Sequence, residues 1–283
     1  MKNKLPLSVV IITKNEANNI AESITSAQFA QEILVIDAFS TDATAEIAQS
    51  HGAKVLCNKW HGYGTQKNFG AQHAAHNWIL FLDADERVSP ELQRILPDVI
   101  TRAEYSVYWI TLEDIFLGKR MKHLVGHNPR LIQKIQAHWN TAHVHEQMLY
   151  ADTNIPAQYK DGMSGEIQES IIHQSYTSIS AYLKKMHRYT SLDAEEMHKT
   201  STHRSGRAVT KNPLLPIYLA FRQFGKLLLY RKGILDGWQG VVWCALSAYY
   251  ELEMGNKYLA LRHPELDSGS RSFDNVDSGS SPE

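Results

Sequence analysis

Short apolar runs alternate with helix-like stretches over residues 7–100, and this alternation limits the possible folds more than any other feature. The first run, LSVVIIT at 7–13, is rich in β-branched residues, which is typical of a strand buried on both faces. Alternating strands and helices predict an α/β fold, in which a mostly parallel sheet carries helices on both faces. Such sheets bind their ligands at the carboxyl ends of the strands. The four predicted strands are residues 7–13, 32–37, 54–57 and 78–83.

End signals mark two of the helices in this part of the chain. Asp42 stands where a cap belongs for the helical stretch TAEIAQS, and Gly52 marks the end of that stretch. Ser89, Pro90 and Glu91 predict the start of another helix. Proline fits the first helical position, and an acidic residue is favourable in the first turn.

Beyond residue 100 the chain changes character. Residues 101–176 contain three further predicted strands and many aromatic and histidine residues, whereas residues 177–262 are predicted to be helical and basic. The last segment, 263–283, is rich in Ser, Gly and Asp, and its composition predicts a disordered tail. The domains we expect are 1–176, with halves at about 1–100 and 101–176, then the helical annex 177–262 and the tail 263–283. The three further strands are residues 106–112, 130–133 and 170–174.

Composition excludes several classes of protein. A formal net charge of −1 gives no sign of a nucleic-acid partner. Cys57 and Cys244 lie too far apart in sequence for a disulfide framework or a CxxC metal site. The apolar run near the N-terminus stops at Ile12 and contains Pro6, so we expect no signal peptide. Because no window of 18 apolar residues exists, we expect no transmembrane helix.

The motif LFLDADERV places two carboxylates, Asp83 and Asp85, directly after an apolar strand. At a diphosphate, one such carboxylate can hold a hard divalent cation while the other holds a sugar hydroxyl. The alternative is a solvated acidic turn ahead of the helix that follows. Phosphatases of the haloacid dehalogenase type also use D-x-D, but near the start of their domain and normally followed by a small hydroxyl residue or valine. Here Glu86 and Arg87 follow instead.

Polar residues also follow the first two predicted strands. The sequence has no G-x-G-x-x-G after strand one and no G-x-x-x-x-G-K-[ST] anywhere, which argues against a dinucleotide dehydrogenase and a P-loop NTPase. Thr13, Asn15 and Glu16 are instead suited to hydrogen-bonding a base, and Asp37 can accept from a uracil-type N–H. Ordinary capping by Asn15 and Asp37 is the alternative.

Several motifs in register carry a resemblance to a known family. Over about residues 7–100 the sequence resembles the family-2 glycosyltransferases of the GT-A fold. Later motifs resemble the branch that includes lipopolysaccharide-core β-1,4-glucosyltransferases. AFST stands where an SGST-like sequence is more usual, and Phe39 is expected to narrow that loop. The motifs are SVVIITKNEANNI, ILVIDAFSTDAT, GTQKNFGAQHA and WILFLDADERV, then RLIQ, VHEQM, IIHQSYTSISAYLKKMHRY and KGILDGWQGVVWCALSAYY.

The resemblance implies a role for each matching residue of the nucleotide-binding half. Lys67 would contact the base or the diphosphate, Asp83 would hold the ribose, and Asp85 would hold Mn²⁺ or Mg²⁺. The residues implied around the base are Thr13, Asn15, Glu16 and Asp37.

Two further roles are left with alternatives. His173 is a candidate metal ligand, since a neutral imidazole suits Mn²⁺, but it can equally be a strand-end histidine bonded to backbone. For the general base we compare Glu146, in the HVHEQ motif, with Glu113 and Asp114. We choose Glu146 because it matches the motif of the branch, and a plain surface charge is the alternative for all three.

The helical end has a strong local charge. Residues 181–235 contain 11 Lys and Arg against 3 Asp and Glu, a surplus of 8. A basic amphipathic helix with aromatic residues is suited to an anionic membrane surface. The alternative is a helix packed on the catalytic domain with a solvated basic face.

These inferences combine into one expected function. We expect an inverting, metal-dependent glycosyltransferase that moves a hexose, glucose first, from a UDP-sugar to a glycolipid, with the lipopolysaccharide inner core as the first candidate. Polyprenyl phosphate or another acceptor is the close alternative. A non-catalytic protein of the same fold that binds sugar nucleotides or glycans is the alternative from another class. We expect the enzyme to be cytoplasmic and to act at the cytoplasmic face of the bacterial inner membrane.

Overall fold

The computed structural model describes residues 4–141, 146–176, 178–209 and 212–262. The strands are β1 Leu5–Thr13, β2 Ala30–Asp37, β3 Lys54–Cys57, β4 Trp78–Asp83, β5 Glu86–Val88, β6 Val107–Phe116, β7 Lys119–Arg120, β8 Gly126–Gln133, β9 Ala137–Trp139, β10 Met148–Tyr150 and β11 Gly165–Tyr176. The helices are α1 Ile20–Ser26, α2 Thr44–Ser50, α3 Tyr63–His73, α4 Pro90–Arg102, α5 Ile179–Thr200, α6 Leu215–Gly225 and α7 Gly237–Arg262. The predicted disordered tail, 263–283, lies outside the described residues.

The large sheet has nine strands in the order β3-β2-β1-β4-β8-β6-β11-β5, with β7 paired to β6. The first four run parallel, as their alternation with helices predicts. Strand β8 pairs antiparallel with both β4 and β6, and β11 pairs antiparallel with β5. The predicted α/β class is therefore confirmed. Strands β9 and β10 form a separate two-stranded antiparallel sheet.

The central strand β1 is buried on both faces, as its continuous apolar sequence predicts. Successive side chains of a strand point to opposite faces. Accordingly Val9 and Ile11 belong to one core cluster, whereas Val10 and Ile12 belong to the cluster on the other side. Apolar side chains thus cover both faces of the sheet. Polar side chains that could bind a ligand are therefore expected at the strand ends.

Helix α3 lies unusually close to its neighbours at two glycines. A Cβ atom on Gly70 would lie 2.3 Å from Cγ1 of Val10, and one on Gly64 would lie 2.1 Å from the carbonyl oxygen of Asn140. Real side chains do not tolerate such distances, so glycine is required at both positions. Lys67 lies three residues from each glycine and therefore on the same helix face. The close approach buries it.

The predicted helix signals agree with the structure in most details. Ser89 caps α4 by accepting from the N–H of Leu92 at 3.2 Å, and Pro90 occupies the first helical position. Asp42 was expected to cap α2, but the residue at the cap position is Ala43. Asp42 lies one residue earlier and accepts from the N–H of Thr44 at 3.1 Å, which still satisfies a free amide of the first turn.

The chain divides into two compact units. The first comprises the residues up to Asp114 together with Val125–Gln174, and the second comprises Ile115–Leu124 together with the chain from Ser175. In the second unit α5, α6 and α7 share an apolar core that includes Met197, Leu219 and Tyr258. Among the described residues no helix is both long and apolar enough to cross a membrane.

Candidate active site

The loops that follow β1 and β2 are joined by side-chain hydrogen bonds. The N–H of Asn15 donates to Oγ of Ser40 at 2.9 Å, and the N–H of Thr41 donates back to Oδ1 of Asn15 at 2.8 Å. The N–H of Glu16 donates to Oγ1 of Thr44 at 2.9 Å. Asn15 therefore joins the two loops and does not cap a helix.

Thr13 and Asp37 close these two strands and are register partners. Asp37 is buried, and its carboxylate accepts from the N–H of Ser40 at 2.9 Å and from the hydroxyl of Ser40. Oγ1 of Thr13 is buried and has no hydrogen-bond partner in the described part of the chain. Phe39, which we expected to narrow this loop, has a left-handed φ of 57° and is 60% exposed. The predicted base-contacting residues thus lie in one pair of linked loops.

A buried arginine lies between two carboxylates at the end of β4. Nη2 of Arg130, on β8, lies 3.1 Å from Oδ2 of Asp83 and also donates to Oε1 of Glu86. Oε2 of Glu86 accepts from the N–H of Asp83 at 2.9 Å. Neighbouring strands β4 and β8 bring these groups together. A charged side chain that is buried away from water needs an opposite charge beside it, and Asp83 and Glu86 provide that charge for Arg130.

Lys67 links the cluster around Arg130 to Glu146, the predicted general base. Its Nζ donates to Oε1 of Glu146 at 2.8 Å and lies 4.0 Å from Oδ1 of Asp83. The same Nζ lies 4.5 Å from the ring centroid of Trp139. Lys67, Asp83 and Glu146 were all predicted site residues, and the structure brings them together.

A second cluster centres on His173. Its Nε2 lies 3.1 Å from Oδ2 of Asp85, and its Nδ1 lies 2.7 Å from Oδ1 of Asp114. The sheet order β6-β11-β5 places Asp114 and His173 on neighbouring strands, and Asp85 immediately precedes β5. His173 therefore bonds to two carboxylates, and the alternative of a histidine bonded to backbone does not describe it. Glu113 precedes Asp114 on β6, so the two side chains point to opposite faces.

Burial and neighbouring charges shift the pKa values of these groups. Burial opposes ionisation of Asp83, but Arg130 and Lys67 hold the pKa of its carboxyl well below the ordinary value. Burial raises the pKa of Glu86, against the lowering effect of Arg130. Burial alone would lower the pKa of His173, but hydrogen bonds to Asp114 and Asp85 raise it to about 10.

The second cluster fits a divalent cation. Asp85 offers a carboxylate oxygen and His173 an imidazole nitrogen at one place, and Asp114 can orient the imidazole from behind, as carboxylates do at histidine metal sites. In the neighbouring cluster around Arg130, atom Oδ1 of Asp83 is buried without a hydrogen-bond partner among the described residues. That part of the chain holds no group of three or more His, Cys, Asp or Glu side chains arranged for a metal. Two protein ligands suffice where substrate phosphates complete the coordination.

Two residues of the site were not predicted. Arg130 stood at the start of the predicted strand RLIQ, and Glu86 was noted after the D-x-D motif without a role. The signal for Arg130 was a charge at the start of the apolar run of a predicted strand. Such a charge demands a partner, so an acidic neighbour on an adjacent strand could have been inferred.

This architecture is that of the GT-A class of nucleotide-diphospho-sugar transferases: a parallel half-sheet whose β4 strand ends in paired carboxylates. The chain belongs to glycosyl transferase family 2, and the model of that family matches residues 8–151, about half of the chain. The protein is accordingly a glycosyltransferase, and the resemblance inferred from the motifs is confirmed.

The chain is similar to several individual proteins. The chain is 31% identical over 261 residues to an uncharacterized glycosyltransferase of Rickettsia felis, covering 86% of each protein. It is 25% identical over 264 residues to the lipopolysaccharide core biosynthesis glycosyltransferase LpsC of Rhizobium meliloti, covering 87% of this chain and 91% of the relative. The crystal structure of mannosyl-3-phosphoglycerate synthase from Rubrobacter xylanophilus is 16% identical and covers 69% of this chain and 74% of that one, with a TM-score of 0.44.

Proposed function

We propose that this glycosyltransferase is inverting and metal-dependent, and that it moves a hexose, glucose first, from a UDP-sugar to a glycolipid of the lipopolysaccharide inner core. The observation that carries the proposal is the pair of clusters at the end of β4, one centred on Arg130 and one on His173. The name of the Rhizobium relative supports the acceptor class. Polyprenyl phosphate remains the second candidate acceptor. We place the reaction at the cytoplasmic face of the inner membrane.

The donor would bind across the linked loops and the Arg130 cluster. Thr13, Asn15, Glu16 and Asp37 would surround the uracil. Asp83 would accept from a ribose hydroxyl, because its carboxylate is held ionised by the cations beside it. Lys67 would neutralise part of the diphosphate, since its ammonium lies beside Asp83 and is held in place by its helix.

Asp85 and His173 would hold the Mn²⁺ or Mg²⁺ on the diphosphate. A bound divalent cation neutralises the charge that develops on the leaving nucleoside diphosphate. His173 would act as a ligand only after losing the Nε2 proton that its raised pKa retains beside Asp85, and a bound cation would displace that proton. Asp114 would then accept from Nδ1 and fix the tautomer.

Glu146 would accept the proton of the acceptor hydroxyl. Its side chain is 17% exposed, and Oε2 is not used in its ion pair with Lys67. Asp114 is the weaker candidate because its carboxylate is hydrogen-bonded to His173. A general base must lie within hydrogen-bond reach of the hydroxyl, so a half-buried carboxylate beside the donor cluster suits the role.

The helical unit would hold the enzyme at an anionic membrane surface. Large apolar side chains are exposed there, with Phe221 75%, Tyr230 81% and Trp238 62% accessible. Lys226 and Lys232 lie between them in the sequence and are exposed as well. Exposed aromatics beside cations favour an interface of apolar and anionic character.

The direct test is transfer from UDP-glucose to lipopolysaccharide core acceptors, with and without Mn²⁺. Asp85→Asn should abolish metal-dependent donor binding and leave the fold intact, whereas Asp98→Asn, an exposed acid on α4, should behave as the parent. Equal UDP-glucose binding by the Asp85 variant in Mn²⁺ would overturn the metal assignment. A parent protein that binds the donor but neither transfers nor hydrolyses it would show the non-catalytic alternative to be correct.

A further inference from the structure

The second unit contains a cavity of about 330 Å³ that the reaction does not require. Its lining comprises described residues between α5 and α6, among them His203 and Asn212, together with residues of α6 itself. This volume lies at the lower end of the range typical of small-molecule sites. Its wall combines positive charge with apolar side chains, and both features point to one kind of ligand.

Two arginines supply the charge. Arg207, which is exposed, and Arg222, which is partly buried, are both lining residues, and neither has an ion pair or side-chain hydrogen bond within the described part of the chain. Nε of Arg222 is buried and has no partner among those residues. A guanidinium group presents several N–H donors in a fixed plane and binds phosphate in a bidentate manner.

Nearby acidic groups do not neutralise these arginines. No Asp or Glu stands among the residues that line the cavity. Glu251, close in space through His203, is already bonded to His203 at 2.9 Å and to Arg204 at 2.6 Å. His203 also lines the cavity, and its Nδ1 lies 2.7 Å from the hydroxyl of Ser205. The cavity therefore has a net positive lining.

The rest of the wall is apolar. Leu215 and Leu219 are buried, whereas Tyr218 is 57% exposed at the same cavity. All three lie on α6, an 11-residue helix whose first turn also borders the cavity. The N–H groups of Leu214 and Leu215 already donate to Asn212 and Pro216 has none, so the arginines supply the attraction for an anion. An anionic head and an apolar body are thus accommodated side by side.

We propose that this cavity binds a phosphate ester that carries an apolar chain. Such a group occurs on anionic phospholipids of a bilayer and on phosphorylated glycolipids, and the shared chemistry is the phosphate next to hydrocarbon. The site lies entirely within the second unit. Its occupancy requires neither donor nor metal, so it stands or falls separately from the transfer reaction.

The test uses the full chain without donor or metal, and titrates it calorimetrically with dihexanoyl phosphatidic acid below its micelle concentration. The parent should bind, and Arg207→Gln/Arg222→Gln should weaken binding at least tenfold, because two charged hydrogen-bonding groups are lost. The control Lys54→Gln/Arg94→Gln removes the same charge from exposed positions of the first unit and should change affinity less than threefold. Equal binding by both double variants, or no binding by the parent, would overturn the proposal.

Two further ligands separate the sources of the phosphate. Vesicles with phosphatidic acid should be bound less well by the arginine variant than by the Lys54→Gln/Arg94→Gln control if the source is a bilayer lipid. An alkyl glycoside phosphate in solution should show the same order if the source is a glycolipid. Inorganic phosphate that binds as tightly as dihexanoyl phosphatidic acid would show that the apolar wall contributes nothing, which contradicts the proposal.

Discussion

Nζ of Lys67 lies 2.8 Å from Oε1 of Glu146, although 79 residues separate the two in sequence. The residue expected to neutralise the diphosphate is thus bonded to the residue expected to act as base. A diphosphate that binds Lys67 competes with Glu146 for the same ammonium group. Donor binding would therefore free the carboxylate of Glu146 to accept the proton of the acceptor hydroxyl. The ion pair between Lys67 and Glu146 would thus couple the donor site to the acceptor site.

Glu146→Gln should lower turnover by about 10²–10⁴-fold, the usual contribution of a positioned base. Glutamine keeps the size and can still accept from Lys67, but it cannot take the proton. Donor affinity should change little, because the lost interaction is made mainly in the transition state. Steady-state transfer kinetics together with a donor titration measure both quantities.

The parallel variants Glu113→Gln and Asp114→Asn should be milder when metal is saturating. If the Glu113 or the Asp114 variant is inactive while the Glu146 variant still turns over, the general base is misassigned. Glu146 would then be a contact of the acceptor or a partner of Lys67 alone.

Asp114→Asn should raise the Mn²⁺ concentration needed for half-maximal activity by about 10–100-fold, the usual effect of losing the carboxylate behind a metal-binding histidine. Asp114 accepts from His173 at 2.7 Å and so fixes the orientation of the imidazole. Excess Mn²⁺ should restore turnover. If saturating metal leaves turnover depressed by orders of magnitude, Asp114 acts in the chemical step instead.

Arg130→Met should destabilise the protein by about 3–5 kcal/mol, because Asp83 and Glu86 then lose their buried cation. The free energy of unfolding in urea measures the effect. Arg94→Met is the matched control, since Arg94 is exposed and its pair with Glu91 should contribute less than about 1 kcal/mol.

Adding Glu86→Gln to Arg130→Met should recover part of the lost stability, since one of the two orphaned carboxylates is removed. A loss below about 1 kcal/mol in the single variant would show that the cluster is hydrated and not paired as described.

The sequence predicted the parallel half of the sheet because short apolar runs alternate there with helical stretches, two of which carry end signals. It also predicted that Asp83 and Asp85 stand at one strand end. It could not predict that the two carboxylates bond to different partners, Arg130 and His173. Those partners lie on antiparallel strands from the second half of the sheet, and strand order is a tertiary property that local patterns do not encode.

Asp236 should make the second unit sensitive to acid. Burial would raise the pKa of Asp236, but the N–H groups of Lys122, His123 and Leu124 lower it below its ordinary value of 3.8. A depressed carboxyl pKa stabilises the fold fully above the unfolded value, and this stability is lost as the pH falls through the folded value. Unfolding followed between pH 6 and pH 2 should therefore show a loss of stability beginning near pH 4.

Asp236→Asn should flatten that part of the pH profile and cost about 1–3 kcal/mol at neutral pH, because amide donors are left without an acceptor. An unchanged acid limb in this variant would show that other carboxyl groups control it.

The basic helical unit should bind anionic vesicles and release them in salt. Lys226→Gln/Lys232→Gln should weaken sedimentation with phosphatidylglycerol vesicles by about 2 kcal/mol, roughly thirtyfold, at about 1 kcal/mol for each lysine near the surface. High salt should remove the difference, because the Debye length falls to about 3 Å at 1 M.

The control Lys54→Gln/Arg94→Gln removes equal charge from the first unit and should sediment like the parent. Equal partitioning onto neutral and anionic vesicles would contradict electrostatic docking, and the exposed Phe221, Tyr230 and Trp238 would then account for the binding by burial of apolar surface alone.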